Sequence, residues 1–366
     1  MIFLLSSIVL LSLLGLLWLA VGYYRYDART FSGYPTLEIL LPCHNEEQDL
    51  PGLFAAMEAL QWPVPLRFAV IDDRSTDKTQ ALMAEFVNRD TAYRRLIVIG
   101  QGEAPEVIAR KKYALTKAVE TSTAAWVLTF DADSRPGTNW LFALFAGWSN
   151  EWIAIIPPFR FSEGEGFWGG IRRLEAVVQS FLMRGAIQIR HPLAAIGAGF
   201  AYRVAAFRQV GGFTGKIGER ISGDDDLLLH KFTKLSGSIV SQVGKEVTLA
   251  VRDREANNYW RVRARHYSVA PDYPIFWKLF GFLVIPGVII APFLFLLLLS
   301  PILTGHGTIW HPATVLLITE YIFVSKIARQ TSTAIEWWHP AALFFGFPFW
   351  AAAILWHTLR RRPGWS

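Results

Sequence analysis

The sequence predicts an α/β domain flanked by transmembrane helices, and three observations carry that prediction. Between about Tyr34 and Asp272, short strand-length apolar runs alternate with longer helix-like stretches. An uncharged apolar run, Ile2 to Val21, precedes this region, and a long greasy block begins near Phe276. Of the 366 residues, 52% are hydrophobic and 18% charged, against ~25% charged in soluble domains. Such a composition excludes a disordered or collagen-like chain and argues against a wholly soluble one. At roughly 150 residues per domain, the length allows two domains, or one plus a membrane part.

The first element, residues 1–24, is expected to be an uncleaved membrane anchor. About 20 apolar residues span the ~30 Å hydrocarbon core as a helix. A cleaved signal peptide needs a basic start, a shorter apolar core and a small-residue cleavage site. Here no Lys or Arg precedes the run, and Tyr23, Tyr24, Arg25 and Arg29 follow it as an interface belt. The basic end predicts an outside N-terminus, and so a multi-pass protein of the inner or plasma membrane with its soluble domain cytoplasmic.

The soluble domain opens with LEILLP (Leu37 to Pro42), followed by a helix expected from Glu46 to Leu60, with acidic residues at its start. RFAVIDD (Arg67 to Asp73) and WVLTFDAD (Trp126 to Asp133) are further strands. Alternation of strands and helices implies a parallel sheet, whose ligands bind beyond the carboxyl ends of the strands. Those ends carry His44-Asn45-Glu46-Glu47, Asp72-Asp73 and Asp131-Ala132-Asp133. Three polar clusters on one edge make a site.

Asp131 and Asp133 can share one hard cation, Mg²⁺ or Mn²⁺, with phosphate oxygens completing its shell. The same residues are also good turn formers. An EF-hand loop is a poor fit, because Arg135 stands where an oxygen ligand belongs. The run Asp72 to Asp77 can cap the following helix through Ser75 or Asp77. GGFTGK is not a Walker loop, since Ile217 replaces the needed hydroxyl, and neither HExxH nor GxSxG occurs. The single cysteine, Cys43, excludes an internal disulfide or a Cys-rich zinc site. A net charge of +6 without a basic stripe or reading motif predicts no nucleic-acid partner.

Taken in order, PCHNEE (Pro42 to Glu47), VIDDRSTDKT (Val70 to Thr79), RKKYALTKA (Arg110 to Ala118) and FDADSRP (Phe130 to Pro136) resemble the motifs of family 2 glycosyltransferases. GAGFAYR (Gly197 to Arg203), GGF (Gly211 to Phe213) and SGDDDLLLH (Ser222 to His230) continue the series. Each motif is weak alone, and the ordered set is strong. The resemblance covers roughly Tyr34 to His230. It implies a GT-A (Rossmann-like) mixed sheet, a nucleotide-sugar donor, most simply a UDP-sugar, a divalent metal, and a hexosyltransferase-like inverting displacement.

Carried over residue by residue, the resemblance sets Asp72 and Asp73 against the nucleoside, with the Pro42, His44 and Glu46 loop beside them. Lys111 matches the lysine near the diphosphate. Asp131 would meet the ribose or the metal, and Asp133 the metal. Asp225 matches the general base, and Asp224 the first position of the family's acidic pair. Three consecutive aspartates also repel one another, which raises a pKa and improves a base. The plainer role for Asp224 to Asp226 is an acidic helix start. The expected division is a nucleotide-sugar-binding half over 34–150 and an acceptor half with interfacial helices over 151–272.

One family feature is missing. Many processive members carry Gln-x-x-Arg-Trp after the base, and here the stretch reads YWRVRARHYS (Tyr259 to Ser268). Arg263, Arg265 and His266 can stand in as acceptor or diphosphate contacts, or form a basic helix on anionic headgroups. Gly164 to Ile187 spaces Phe167, Trp168, Ile171, Leu174, Val178 and Leu182 at near-helical intervals. Core packing explains that stripe, and an interfacial helix shaping a lipid path is the functional alternative.

The C-terminal region, 275–359, is expected to be transmembrane, with Pro286 and Pro292 as kinks and a weaker run, Ala313 to Val324, interrupted by Glu320. Counting Ala341 to Trp356 as a third span puts the basic tail, 360–366, outside, against the positive-inside rule. Either Phe345 to Phe349, with Pro348, is re-entrant, or the weak run does not cross.

The expected activity is therefore sugar transfer to a membrane-associated lipid or glycan acceptor: a polyprenyl phosphate, or a diacylglycerol, carotenoid or hopanoid hydroxyl. A processive polysaccharide synthase and an inactive membrane scaffold are the competing readings.

Overall fold

A computed structural model of the protein describes residues 2–25, 33–100, 102–103, 108–162, 166–252, 259–303, 312–335 and 338–360. They fall into two compact units. Among the described residues, the helical unit comprises 2–25, 166–190, 259–303, 312–335 and 338–360, and the sheet unit comprises 33–100, 102–103, 108–162 and 191–252.

Along the chain the helices are α1 (Ile2–Tyr24), α2 (Leu50–Glu58), α3 (Thr79–Asn88), α4 (Arg110–Glu120), α5 (Trp140–Leu144), α6 (Gly166–Gln188), α7 (Val204–Gln209), α8 (Lys216–Glu219), α9 (Asp226–Phe232), α10 (Tyr259–Tyr267), α11 (Ile275–Leu303), α12 (Pro312–Gln330) and α13 (His339–Arg360). The strands are β1 (Leu37–Cys43), β2 (Arg67–Asp73), β3 (Arg94–Ile99), β4 (Trp126–Thr129), β5 (Ser134–Arg135), β6 (Trp152–Ile156), β7 (Phe159–Phe161), β8 (Ala201–Arg203), β9 (Ser238–Ser241) and β10 (Leu249–Val251).

Among the described residues the main sheet runs β3-β2-β1-β4-β8-β6-β9. Its first half is parallel, with β1 between β2 and β4. Leu37, Ile39, Leu40 and Leu41 of β1 are fully buried, as are Trp126, Val127 and Leu128 of β4. Runs covered on both faces read as continuous apolar stretches, which is why these strands were legible. Register aligns Cys43 with Asp72 and Leu40 with Thr129, so the strands finish along one carboxyl edge. The alternation alone predicts an all-parallel sheet. The sheet is instead mixed, because β8 enters antiparallel between β4 and β6. A small second sheet, β5-β10-β7, braces the loop after β4.

Two helix starts differ from expectation. α2 begins at Leu50, not Glu46, with Pro51 in its first turn. The preceding residues are held by loop contacts: Glu46 N–H donates to Thr79 Oγ1 (2.7 Å) and Glu47 N–H to Asp77 Oδ2 (3.3 Å). α3 begins at Thr79, whose N–H donates to Asp77 Oδ1 (2.9 Å), while Ser75 Oγ accepts from Asn45 N–H (3.0 Å).

In the helical unit, Phe3–Tyr24 and Ile275–Leu297 have the length and hydropathy to cross a membrane. α1 meets its neighbours through small residues. Ser12 Oγ donates to the Val284 carbonyl (2.9 Å), and a Cβ on Gly15 would stand 2.8 Å from Val284 Cγ2. On the other side, a Cβ on Gly22 would stand 2.6 Å from the Gly185 carbonyl oxygen of α6. The buried face of α6 differs from the predicted stripe. Leu174 is buried, yet Ile171, Val178 and Leu182 are half-exposed, and Arg172, Ser180 and Arg184 are buried. Arg184 Nε donates to the Tyr23 carbonyl (2.9 Å), satisfying the end of α1. The side chains of Phe167 and Trp168 lie outside the described residues, as do Arg29 and residues 361–366 of the basic tail. Phe345 to Phe349 is helix interior, with Pro348 inside α13.

Candidate active site

The carboxyl edge of the sheet is built from loops that hold one another. His44 Nδ1 lies 2.7 Å from the Asp73 carbonyl, which can only accept, so that nitrogen carries the proton. Asn45 and Arg74 both adopt left-handed backbone, at φ 56 and 60. Asn tolerates this through local hydrogen bonds, and its Oδ1 accepts from Thr76 N–H (2.8 Å). Arg74 lacks that excuse; its guanidinium Nε donates to Asp73 Oδ1 (2.7 Å). Asp72 accepts from Ser75 N–H (3.3 Å) and is buried, as is Asp73. Both aspartates shape the loop at the nucleoside end of the predicted site.

Past β4, Asp131 and Ser134 form a reciprocal turn, with Ser134 Oγ accepting from Asp131 N–H (3.2 Å) and Ser134 N–H donating to the Asp131 carbonyl (3.0 Å). Arg135 Nη1 reaches back to the Ala132 carbonyl (2.9 Å), between the two predicted metal ligands. Its Nη2 meets Asp49 Oδ1 (2.9 Å), which also receives Arg252 Nη1 (2.7 Å). Arg252 N–H donates to the Asp133 carbonyl (2.9 Å). A buried aspartate and two arginines thus fix the Asp131–Asp133 loop.

The centre of the site is Lys111, in the first turn of α4. Its Nζ lies 2.8 Å from Asp131 Oδ1 and 3.0 Å from Asp224 Oδ2. Asp225 caps α9, with Oδ1 accepting from Asp226 N–H (2.8 Å), and Asp226 Oδ1 accepts from Ala195 N–H (2.8 Å). Gly197 forms the floor. A Cβ there would stand 3.4 Å from Lys111 Nζ and 3.6 Å from Asp224 Oδ2 and Asp225 Oδ2, filling the space where the charges meet.

Charge is distributed unevenly. Burial works against the Lys111 ammonium, but Asp131 and Asp224 outweigh it and hold it protonated beyond the ordinary lysine range. Burial also pushes Asp224 up, and Lys111 more than reverses this, so Asp224 stays ionised below the usual carboxylate range. Burial, then the charges of Asp226 and Asp224, push Asp225 well above its usual value.

Among the described residues no three His, Cys, Asp or Glu side chains converge as a protein-only metal cage. Two carboxylates one residue apart, with Asp131 partly exposed on the site, suit a hard cation that shares its shell with phosphate oxygens. The residues fit that group.

The structure therefore brings together Lys111, Asp131, Asp224 and Asp225, with Asp133 on the same loop as Asp131. Pro42, His44, Glu46, Asp72 and Asp73 line the neighbouring strand ends. Arg263, Arg265 and His266 lie on α10 in the helical unit, where Arg263 Nε pairs with Glu175 Oε1 (3.2 Å) and Nη1 lies 3.3 Å from His266 Nδ1. Asp49, Arg135, Arg252 and Gly197 were not anticipated as site residues.

The mixed sheet with these carboxylates along its edge has the GT-A fold. Residues 38–211 match the model described as Glycosyl transferase family 2. A probable glycosyltransferase of Bacillus subtilis (strain 168), YdaM, is 23% identical over 236 residues, 63% of this chain and 54% of that protein. The chain thus matches about half the length of that curated relative. The mannosyltransferase PcManGT from Pyrobaculum calidifontis, solved in complex with GDP-Man and Mn²⁺, shares the fold with a TM-score of 0.63 at 15% identity, over 98% of this chain and 99% of that one.

Proposed function

We propose that this chain is an inverting glycosyltransferase that moves a sugar from a nucleotide-sugar to a membrane-associated lipid or glycan acceptor. The observation that carries the reading is Lys111 held between Asp131 and Asp224, with the Asp225 carboxylate converging on the same Gly197 floor.

The donor's diphosphate takes the place beside Lys111 and Asp131, and the Asp72–Asp73 end receives the nucleoside. Asp131 and Asp133 would hold a divalent cation, Mg²⁺ or Mn²⁺, which when bound would offset the negative charge of the diphosphate. Asp225 takes the proton of the acceptor hydroxyl, from within ~3 Å. The hydroxyl oxygen bonds to the anomeric carbon on the face opposite the diphosphate. The bond from that carbon to the phosphate oxygen breaks, its electron pair leaves with the phosphate, and the configuration inverts. Lys111 stays beside the leaving charge. A base with a raised pKa accepts a proton more readily near neutrality, which is what this step needs.

The lengths and hydropathy of Phe3–Tyr24 and Ile275–Leu297 support a membrane setting. So does the close packing of α1 through Ser12, Gly15 and Gly22, which suits an anchor that stays attached. With basic Arg25 following the first apolar run, this favours a multi-pass protein with a cytoplasmic sheet unit. Both UDP- and GDP-sugars belong in the test.

The experiment follows labelled UDP- and GDP-sugars, with Mn²⁺ or Mg²⁺, in membranes carrying the protein or Asp225→Asn. Asp225-dependent label in the organic-extractable fraction is expected. Label in long insoluble polymer would replace this reading with a processive synthase. Transfer that persists in Asp225→Asn would remove Asp225 as the base.

A further inference from the structure

Beside Lys111, the next residue of α4 does something different. The Lys112 side chain is fully buried, and its Nζ donates to three backbone carbonyls: Ile217 (2.7 Å), Arg220 (2.6 Å) and Ser222 (2.8 Å). These carbonyls belong to α8 and the loop after it, the segment that delivers Gly223, Asp224 and Asp225. A fourth bond, Ala109 N–H to the Gly218 carbonyl (2.8 Å), ties the start of α4 to the same segment. Charge-assisted bonds to three carbonyls fix a loop in three directions, where a neutral side chain would hold it at one point.

We propose that Lys112 is a positioning residue for the Asp224–Asp225 pair, fixing the backbone that carries the base to the helix that carries Lys111. The inference rests on the reading of Asp225 as the base. One turn of α4 thereby holds this segment twice: Lys111 grips the Asp224 carboxylate and Lys112 the main chain leading to it. The charge of Lys112 also adds to that of Lys111 in keeping Asp224 ionised. Gly223 follows in left-handed backbone (φ 78), so the chain turns immediately after the last tethered carbonyl. A shift in the tether therefore moves Asp225 directly.

A second lysine supplies the control. Lys231 of α9 donates to the carbonyls of Gly212 (2.7 Å), Thr214 (3.1 Å) and Val210 (3.4 Å), the same chemistry at the far end of the loop. The test compares Lys112→Met, which keeps length and removes charge, with Lys231→Met and Asp225→Asn. Hydrogen exchange on the substrate-free protein is read first. In Lys112→Met the amides of residues 217–226 should exchange faster while those of β1 and β2 keep their protection. Kinetics follow, with whichever labelled nucleotide-sugar supports Asp225-dependent transfer. Lys112→Met should leave the donor KM unchanged and lower kcat on the order of a hundredfold, the effect of about an ångström's misplacement.

Unchanged exchange in 217–226, an unchanged kcat, or an equal kinetic loss in Lys231→Met would each overturn the proposal. Wild-type transfer that survives Asp225→Asn would instead overturn the assignment of the base, and the exchange result would stand apart from it.

Discussion

Lys111 places its ammonium 3.0 Å from Asp224 Oδ2, so the first of three consecutive aspartates is the one it neutralises. Asp225, one residue on, is left to feel Asp224 and Asp226 as like charges in a buried setting. The pair is thereby divided into an ionised anchor and a basic carboxylate, which is how neighbouring carboxyls take separate roles.

Replacing Lys111 with Met removes the charge next to the diphosphate and releases Asp224. The expected loss in kcat/KM is ~10²–10³-fold, the range for deleting one preorganised charge partner of a transition state. Transfer rates at saturating and limiting donor measure it. The acid limb should also rise, because the Lys111 charge no longer lowers the pKa of Asp225.

The raised pKa of Asp225 has a sign for stability. A carboxyl whose folded pKa lies above its unfolded one binds protons more tightly when folded. Its contribution is full below the unfolded pKa and is lost as pH rises through the folded one. At neutral pH an ionised Asp225 therefore strains the fold, and Asp225→Asn should melt higher than wild type. Thermal scans from pH 2 to 8 test this: the advantage should shrink toward acid pH and be absent below the unfolded carboxylate range. Asp224→Asn should do the reverse, destabilising at neutral pH.

Asp49 is buried and receives Arg135 and Arg252, whose side chains are 23% and 36% exposed. Removing one member of a buried pair costs about 3–5 kcal/mol, and partial exposure of the arginines brings the expectation for Asp49→Ala down to ~2 kcal/mol. Urea unfolding measures the stability. Because Arg135 also holds the Ala132 carbonyl, Mn²⁺ titration should show weaker binding in the same variant.

The helical unit depends on glycine where helices touch. A Cβ on Gly185 would stand 2.6 Å from the Leu19 carbonyl oxygen, so Gly185→Leu should destabilise by ~2 kcal/mol or more through overpacking. Gly346 of α13 has nothing within 4 Å of such an atom. Gly346→Ala should be neutral or stabilise by up to ~1 kcal/mol, as helix propensity dictates. Melting in detergent distinguishes the two.

Asp131, Lys111 and Asp225 were legible in the sequence because each stands in a short motif at a strand or helix end. Asp49 was not, because its partners lie 86 and 203 residues away and its own neighbours suggested only a helix start. Lys112 had no local signal separating it from Lys111; only the fold shows one lysine facing carboxylates and the other facing carbonyls. On α6 the apolar spacing misled, since Arg172 and Arg184 are buried. Arg184 is drawn inward by the carbonyls closing α1, which no periodicity reveals.

The antiparallel entry of β8 between β4 and β6 has a consequence in time. A ribosome releases β1, β2, β3 and β4 well before Ala201–Arg203, and the long α6 emerges in between. At typical synthesis rates the outer side of β4 stays unpaired for several seconds. During that interval Trp126, Val127 and Leu128 present an apolar strand edge to anything nearby, the kind of edge that recruits foreign strands. Aggregation of this protein during overexpression should therefore respond to how quickly residues 130–203 are translated, and a slow codon run placed there should lower soluble yield without altering any residue.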